Sequence, residues 1–328
     1  MANSRAIARG GVRVLAGVVG TAVAVAALVG AAVVPLPAFT VNPPSKTVSP
    51  VPANQQRVCP GGLLELGDGS AASSLTSIGA ASTKTEATTQ VVTKSLATPS
   101  VHSDDGAPRT ISTNSTGAAQ RPLIAGAQSQ TASSADTAGL VAVACGEATS
   151  DSWLVAGATT LGATSLVMLN NPTAVDATVD LTVYTEAGRA DAAGSTGLIV
   201  RAKSQLVVPL TGLVPNAQAS VVHVQASGGS VYAVLQQSAV SGLAPQGVDL
   251  VAPTAEPATS LVIPGMTVKN LGKAAGADGA SNQIPAVRLL APGTSAAHVT
   301  VTATSESAAS VQATSRITLQ GAPCARCR

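Results

Sequence analysis

Aromatic side chains are nearly absent from this sequence, which has one tryptophan, two tyrosines and one phenylalanine in 328 residues. Charged residues make up only 10%, and the net charge is +2. Because no strongly basic surface is available, we expect no nucleic-acid partner. Because large rings are scarce, any core must be built from small and β-branched side chains, each of which buries a modest area.

Histidines are also few: His102, His223 and His298 lack the spacing of metal ligands. We interpret His223 and His298 as solvated residues on wet strand faces. His102, Ser103 and Asp104 are the residue types of a hydrolase triad, but triad members usually converge from separate segments. The sequence also has no glycine-rich phosphate loop between a strand and a helix. We therefore predict no catalytic, cofactor-binding or metal-binding residues.

Two further pairs are candidate chemical groups. Asp176 and Asp180 face the same side of one predicted strand, where paired carboxylates serve acid–base or calcium chemistry, or simply keep a strand soluble. We favour solubility. Cys324 and Cys327 have the spacing of a redox motif or half a metal site, but no second pair and no strand-to-helix context accompanies them.

The N-terminal region predicts a membrane segment. Residues 1–13 contain three arginines, and the uncharged apolar run 14–34 has about the length that crosses a bilayer. The run is longer than the core of an ordinary signal peptide and lacks a good cleavage site. We favour an uncleaved single-pass anchor with the C-terminal domain outside the cytoplasm. The alternative is a secreted protein after signal cleavage.

Residues 35–57 are rich in proline and predict an extended linker. From Gly67 to Ala138, serine, threonine, alanine and glycine dominate, which predicts exposed loops, including Gln128–Asp136, and partial disorder. Cys59 and Cys145 bracket this region. Outside the cytoplasm such thiols are usually paired, and a disulfide closing this loop would add about 4 kcal/mol on the chain-entropy model. The alternative is two unpaired buried thiols.

The most informative stretch is Thr164–Gln237. Odd positions from Val175 to Val183 are apolar, which is typical of an antiparallel strand with one wet face. Asn170–Pro172 predicts a turn before this strand, and Glu186–Arg189 predicts another after it. Similar short strands follow, and Gly228–Gly229 predicts a hairpin turn between two of them. We predict an all-β protein with an immunoglobulin-like β-sandwich over 58–250 and a linker over 251–283.

The pattern returns in residues 284–320, which we predict to be a partial second sandwich. Val287–Gly293 repeats Leu166–Pro172, His298–Thr304 repeats Thr178–Tyr184, and Arg316–Leu319 repeats the strand near Leu198. The second copy lacks several strands of the first. We expect a truncated chain whose tail, 321–328, is foreign to the fold; the alternative is that a partner supplies the missing strands.

Several motifs in order resemble a known family. They are Cys59-Pro60-Gly61, Cys145, Trp153 with the following Ala158–Gly162, Asn171-Pro172, Val208–Leu213 and Gly228–Ala233. Together they are similar to an actinobacterial family of unknown function, over about Val58–Leu319. The resemblance implies one N-terminal membrane segment and an extracytoplasmic β-sandwich region that continues beyond the end of this chain. It implies no activity and no site residues.

These observations favour a non-enzymatic, membrane-anchored cell-envelope protein that acts as a scaffold or interaction module, with an envelope protein or glycan as its partner. The alternative is a module that binds cell-wall glycans, for which Tyr184 and Tyr232 are the only candidate ring platform. A hydrolase is the third hypothesis. It requires His102 or His223 within hydrogen-bond reach of a serine and a carboxylate.

Overall fold

The structure is a computed structural model that describes residues 17–30, 54–67, 74–102, 105–114, 122–134, 136–266, 287–305 and 311–321. The chain divides into two compact units, residues 1–50 and 51–328. In the first unit, residues 17–30 form a helix. No helix among the described residues has both the length and the apolar character needed to cross a membrane. The ends of the predicted anchor, the basic stub and residues 35–53 of the predicted linker lie outside the described residues.

The second unit is built from β-strands, as the sequence predicts. The strands are β1 (Gln55–Cys59), β2 (Leu64–Leu66), β3 (Leu75–Ser77), β4 (Ser82–Ala87), β5 (Val91–Ser95), β6 (Arg109–Thr113), β7 (Ile124–Ser133), β8 (Ala138–Ala144), β9 (Asp151–Leu154), β10 (Ala163–Asn171), β11 (Ala177–Thr185), β12 (Gly188–Arg189), β13 (Leu198–Val200), β14 (Ser204–Pro209), β15 (Ser220–Ser227), β16 (Tyr232–Ser241), β17 (Ala244–Val251), β18 (Ala297–Thr304) and β19 (Val311–Leu319).

Two sheets face each other across the main core. One has the strand order β14-β10-β16-β17, and the other has the order β12-β11-β15-β9 with β13 also paired to β11. The predicted alternation of β11 is confirmed, because Val179, Leu181 and Val183 are buried in this core while Thr178 and Asp180 are exposed. Alternate burial of this kind is what an antiparallel strand with one wet face requires.

The sheet that contains β10 is buried on both faces. Val167 and Leu169 enter the main core, whereas Leu166 and Met168 enter a second core formed with the first half of the unit. This explains why β10 has a continuous apolar run instead of an alternating one. The expectation of partial disorder between Gly67 and Ala138 is wrong for the described residues, which form β3 to β8 and supply part of this second core.

Two predicted turns are wrong. Gly228–Gly229 does not close a hairpin, because β15 pairs with β11 and β9 whereas β16 pairs with β10 and β17. These glycines carry the chain from one sheet to the other. The turn expected at Asn170–Pro172 begins later, since both asparagines are buried at the end of β10. Asn171 closes that turn by accepting from the Thr173 N–H at 2.9 Å.

The segment predicted as an exposed loop at Gln128–Asp136 is largely strand β7, and its glutamines point inward. Gln128 Nε2 donates to the Gly61 carbonyl at 2.6 Å, and Gln128 Oε1 accepts from the Gly61 N–H at 3.1 Å. Gln236 does the same to Leu64, at 2.6 and 2.9 Å. Each side-chain amide thus bonds both the N–H and the carbonyl of one residue, as a neighbouring strand would. Without it, these backbone groups would be buried without partners.

Two more glutamines complete this arrangement, which we call the glutamine clamp and define as Gln128, Gln130, Gln205 and Gln236. Gln130 accepts from the Leu63 N–H at 2.9 Å, and Gln205 donates to the Pro60 carbonyl at 3.0 Å. All four glutamines are buried. The clamp therefore fixes residues 60–64, which connect β1 to β2, against strands that are distant in the sequence.

The predicted disulfide is present. Cys59, at the end of β1, is bonded to Cys145, which directly follows β8, and 86 positions separate them. Both cysteines are buried in a small apolar cluster with Ile111 and Ile124. The bond joins two of the three-stranded sheets of the first half, β1-β6-β5 and β4-β7-β8.

Candidate functional site

A stack of three rings lies on the outer face of the β9-β15-β11 sheet. Trp153 and His223 are directly opposite in the register of β9 and β15, and their ring centroids are 3.9 Å apart with planes at 10°. Tyr184 of β11 lies 6.0 Å from Trp153. The alternation that points Val222 and Val224 into the core points His223 outward, which is how the sheet brings these rings together.

His223 is not the solvated histidine on a wet strand face that its sequence position predicts. Its Nε2 lies 2.7 Å from Asp151 Oδ2, and the side chains are 14% and 39% exposed, respectively. No local pattern in the sequence indicates this pair, because the two residues come from different strands, 72 positions apart. Such a pair could transfer a proton to a bound molecule. Among the described residues, however, no serine is hydrogen-bonded to His223, so the arrangement that a hydrolase requires is not assembled there.

Leu290 and Arg288, in the segment that precedes β18, contact the sheet at the ring stack. Leu290 packs against the cluster of Trp153, Tyr184 and Val221. Arg288 Nη1 donates to the Ser220 carbonyl at 2.9 Å, at the start of β15. The segment that leads into β18 is therefore attached to this sheet by an apolar contact and a hydrogen bond. The sequence predicted that this segment would repeat β10, but it is not a strand in the structure.

A charged pair supports this contact. Burial raises the pKa of Glu186, but hydrogen bonds from the backbone N–H groups of Glu186, Gln218 and Ala219 and the charge of Arg288 outweigh it, so the pKa is lowered. Burial lowers the pKa of Arg288, and the charge of Glu186 partly offsets that effect. A depressed carboxyl pKa stabilises the folded state above the unfolded pKa, and this stabilisation is lost as the pH falls through the folded value.

Replacing Leu290 by alanine is expected to loosen the segment that precedes β18 and to admit water to the ring stack. Because Trp153 is the sole tryptophan of the chain, its fluorescence should shift to longer wavelength in Leu290→Ala. Val287→Ala is the matched control, since Val287 is 39% exposed and lies outside this cluster. Equal spectra for Leu290→Ala and the wild type would contradict the assigned contact.

The two tyrosines do not form the exposed platform on which the glycan hypothesis rested. Tyr184 is 8% exposed and Tyr232 is 3% exposed, and they lie in different clusters. The Tyr232 hydroxyl donates to the Ala144 carbonyl at 2.9 Å. Burial raises the pKa of Tyr232 to about 12. A sugar platform needs exposed rings, so this residue assignment was wrong.

Asp176 and Asp180 fasten the chain on either side of β13. Asp180 Oδ1 accepts from the Gly197 N–H at 2.7 Å, and Asp176 Oδ1 accepts from the Ala202 N–H at 2.8 Å. Their four-residue spacing matches the two ends of the short strand Leu198–Val200. They therefore stabilise an edge strand, which differs from the purely solubilising role that we favoured.

The remaining candidates are dispersed. His102 and His298 are exposed, and His298 Nδ1 lies 3.1 Å from Thr318 Oγ1 on the neighbouring strand. Ser103, Asp104, Cys324 and Cys327 lie outside the described residues. Within the described part of the chain, no group of three or more histidine, cysteine or acidic side chains could hold a metal ion.

The hairpin β18–β19 is a structural repeat of β11 with β13. Ala177, Thr178 and Val179 pair with Val200, Ile199 and Leu198, in that order. Ala297, His298 and Val299 pair with Leu319, Thr318 and Ile317 in the same register. The internal repeat predicted from His298–Thr304 and Arg316–Leu319 is therefore found in the strand pairing as well as in the sequence.

The two copies differ in what surrounds them. In the first, β11 also pairs with β15, and Val179 and Leu181 are 0% and 2% exposed. In the second, β18 pairs with β19 in a two-stranded sheet, and no described residue pairs with its other edge. The equivalent Val299 and Val301 are only half-buried. The edge of β18 that faces away from β19 is therefore a candidate interface, because the equivalent edge of β11 is paired with β15.

The chain was compared with known proteins, solved structures and protein families. No curated protein and no solved structure matches the chain. A family model described as a family of unknown function, DUF5719, matches residues 98–321, which include both the main sandwich and the β18–β19 hairpin. The resemblance expected from the sequence is confirmed at this level: the chain belongs to the DUF5719 family.

Proposed function

We propose that this protein is a non-enzymatic interaction module of the cell envelope, anchored to the membrane by its N-terminal segment, that binds by adding a strand to β18. One observation carries the proposal. The hairpin β18–β19 reproduces the pairing of β11 with β13 but has no described counterpart of β15. Strand addition uses such an edge, where backbone hydrogen bonds supply affinity and side-chain alternation supplies specificity.

The location outside the cytoplasm is supported by the Cys59–Cys145 disulfide, since structural disulfides persist mainly in oxidising compartments. The single-pass anchor over 14–34 rests on the apolar run and its preceding arginines. The immunoglobulin-like character of the sandwich is part of the same proposal. It rests on two facing antiparallel sheets joined by a crossing between β15 and β16.

The other hypotheses have less support. Glycan binding loses its ring platform because Tyr184 and Tyr232 are buried. A hydrolase would need a nucleophile beside His223, whose hydrogen-bond partner in the described structure is Asp151. The interaction module needs no residue beyond those that the hairpin already presents.

Hydrogen exchange tests this function. Amide exchange in 297–304 should be slower in isolated cell envelopes than in the dilute purified full-length protein, because a bound strand protects the outward N–H groups. Peptides from 177–185 are the internal control and should be protected in both samples, since β11 is paired on both edges. Equally fast exchange of 297–304 in the two samples would show that no strand is added to β18.

A further inference from the structure

We infer that the strand added to β18 is the β18 of a second copy of this chain, so that two hairpins form one four-stranded sheet. This inference rests on the proposed function and names its partner. The repeat indicates which backbone N–H groups of β18 point away from β19. The Leu181 N–H donates to the Ser195 carbonyl at 2.7 Å, on the side of β13, so Asp180 and Thr182 direct their N–H groups towards β15.

Because β18 pairs with β19 in the register of β11 with β13, equivalent residues of β18 and β11 have the same orientation. Thr300 and Thr302 occupy the positions of Asp180 and Thr182, so their N–H groups and carbonyls point away from β19. They form the outward row of donors and acceptors on β18. Thr314 is directly opposite Thr302 and presents the same groups on the outer edge of β19.

The composition of β18 suits pairing with a copy of itself. The strand Ala297–Thr304 has no lysine, arginine, aspartate, glutamate or proline, so two copies can lie side by side without like charges in contact. Its one irregularity in pairing with β19 is at Ala303/Thr304, at the end of the strand. The outer edge of β19 is less suitable, because self-pairing there would bring Arg316 of one copy close to the Arg316 of the other.

Symmetry keeps the apolar side chains together. Two copies of β18 in antiparallel pairing are related by a two-fold axis perpendicular to the sheet, which makes the interface isologous. Residues directly opposite in an antiparallel pair point to the same face. Pairing through Thr300 and Thr302 therefore places Val299 and Val301 of both copies on one side, continuous with Ile317.

Sedimentation equilibrium of the full-length protein in density-matched detergent tests this interface. The wild type and Thr314→Pro should form dimers, whereas Thr302→Pro should raise the dimer dissociation constant at least about tenfold, because proline removes an N–H from the shared ladder. Thr314→Pro is the matched control, since it makes the same change at the directly opposite residue, on the edge that the dimer does not use.

A second pair of variants keeps the test independent of any effect of proline on folding. Thr302→Lys should weaken the dimer at low salt, and raised salt should restore it, because the lysines of the two copies come close together. Thr314→Lys should not. A wild type that stays monomeric, or a Thr302→Pro that dimerises like the wild type, would overturn the inference.

The two proposals can fail separately. Slow exchange of 297–304 in cell envelopes together with a monomeric purified protein would leave the interaction function standing and would assign the added strand to a different protein. Fast exchange in the envelopes would remove both. A dimer insensitive to Thr302→Pro would place self-association elsewhere in the chain.

Discussion

Replacing Gln236 by leucine is expected to lower the free energy of unfolding by about 2–6 kcal/mol. The side chain is 1% exposed and forms hydrogen bonds to both the N–H and the carbonyl of Leu64. Leucine fills a similar volume but can bond neither group. Each buried backbone group left without a partner costs about 1–3 kcal/mol, which gives the range.

Denaturant unfolding of the full-length protein, followed by the fluorescence of Trp153, measures this effect. Gln246→Leu is the matched control: Gln246 is exposed in β17, and its amide donates only to the Ala244 carbonyl at 3.3 Å. We expect that variant to stay within about 0.5 kcal/mol of the wild type, as is usual for surface substitutions. If the two variants had equal stability, the clamp would not hold residues 60–64.

Removing the Cys59–Cys145 disulfide should cost about 4–5 kcal/mol. The bond closes a loop with a sequence separation of 86, and on the chain-entropy model a loop of this length restricts the unfolded chain by about that amount. The change is Cys59→Ala combined with Cys145→Ala, so that no unpaired thiol remains at either position. Alanine also leaves a small cavity beside Ile111 and Ile124, which adds to the loss.

The measurement is again denaturant unfolding, with and without a reducing agent. Reductant should lower the stability of the wild type towards that of the double variant and should leave the double variant unchanged. Cys324 and Cys327 are common to both proteins, so any effect of reductant on them appears in both. A wild type that is insensitive to reductant after full unfolding and refolding would contradict the expected contribution.

The sequence determined much of the architecture by itself. Strict alternation from Ala177 to Val183 predicts an antiparallel strand with one wet face, and the structure buries every second residue there. The same alternation, displaced along the chain, predicts the repeat at Ala297–Thr304. Both are local signals, because the period of the side chains depends only on the pleat of the backbone. The pairing of Cys59 with Cys145 was predictable from compartment and count.

Other features could be decided only by the tertiary structure. Gln128 and Gln130 make a polar stretch that predicts a loop, and only the distant backbone of residues 60–64 makes their burial favourable. Gly228–Gly229 has the sequence of a hairpin turn, but which sheet each neighbouring strand joins depends on the two cores. His223 meets Asp151 and Trp153 through the register of β9 with β15, which no local pattern specifies.

The division has one physical reason. The alternation of apolar and polar residues depends only on residues that are close together in the chain. The sequence therefore specifies which segments of the sandwich are strands and which face of each is apolar. By contrast, strand pairing depends on segments far apart in the chain, and so does the burial of a polar amide. They are decided when those segments compete for the same backbone hydrogen bonds and the same apolar surface.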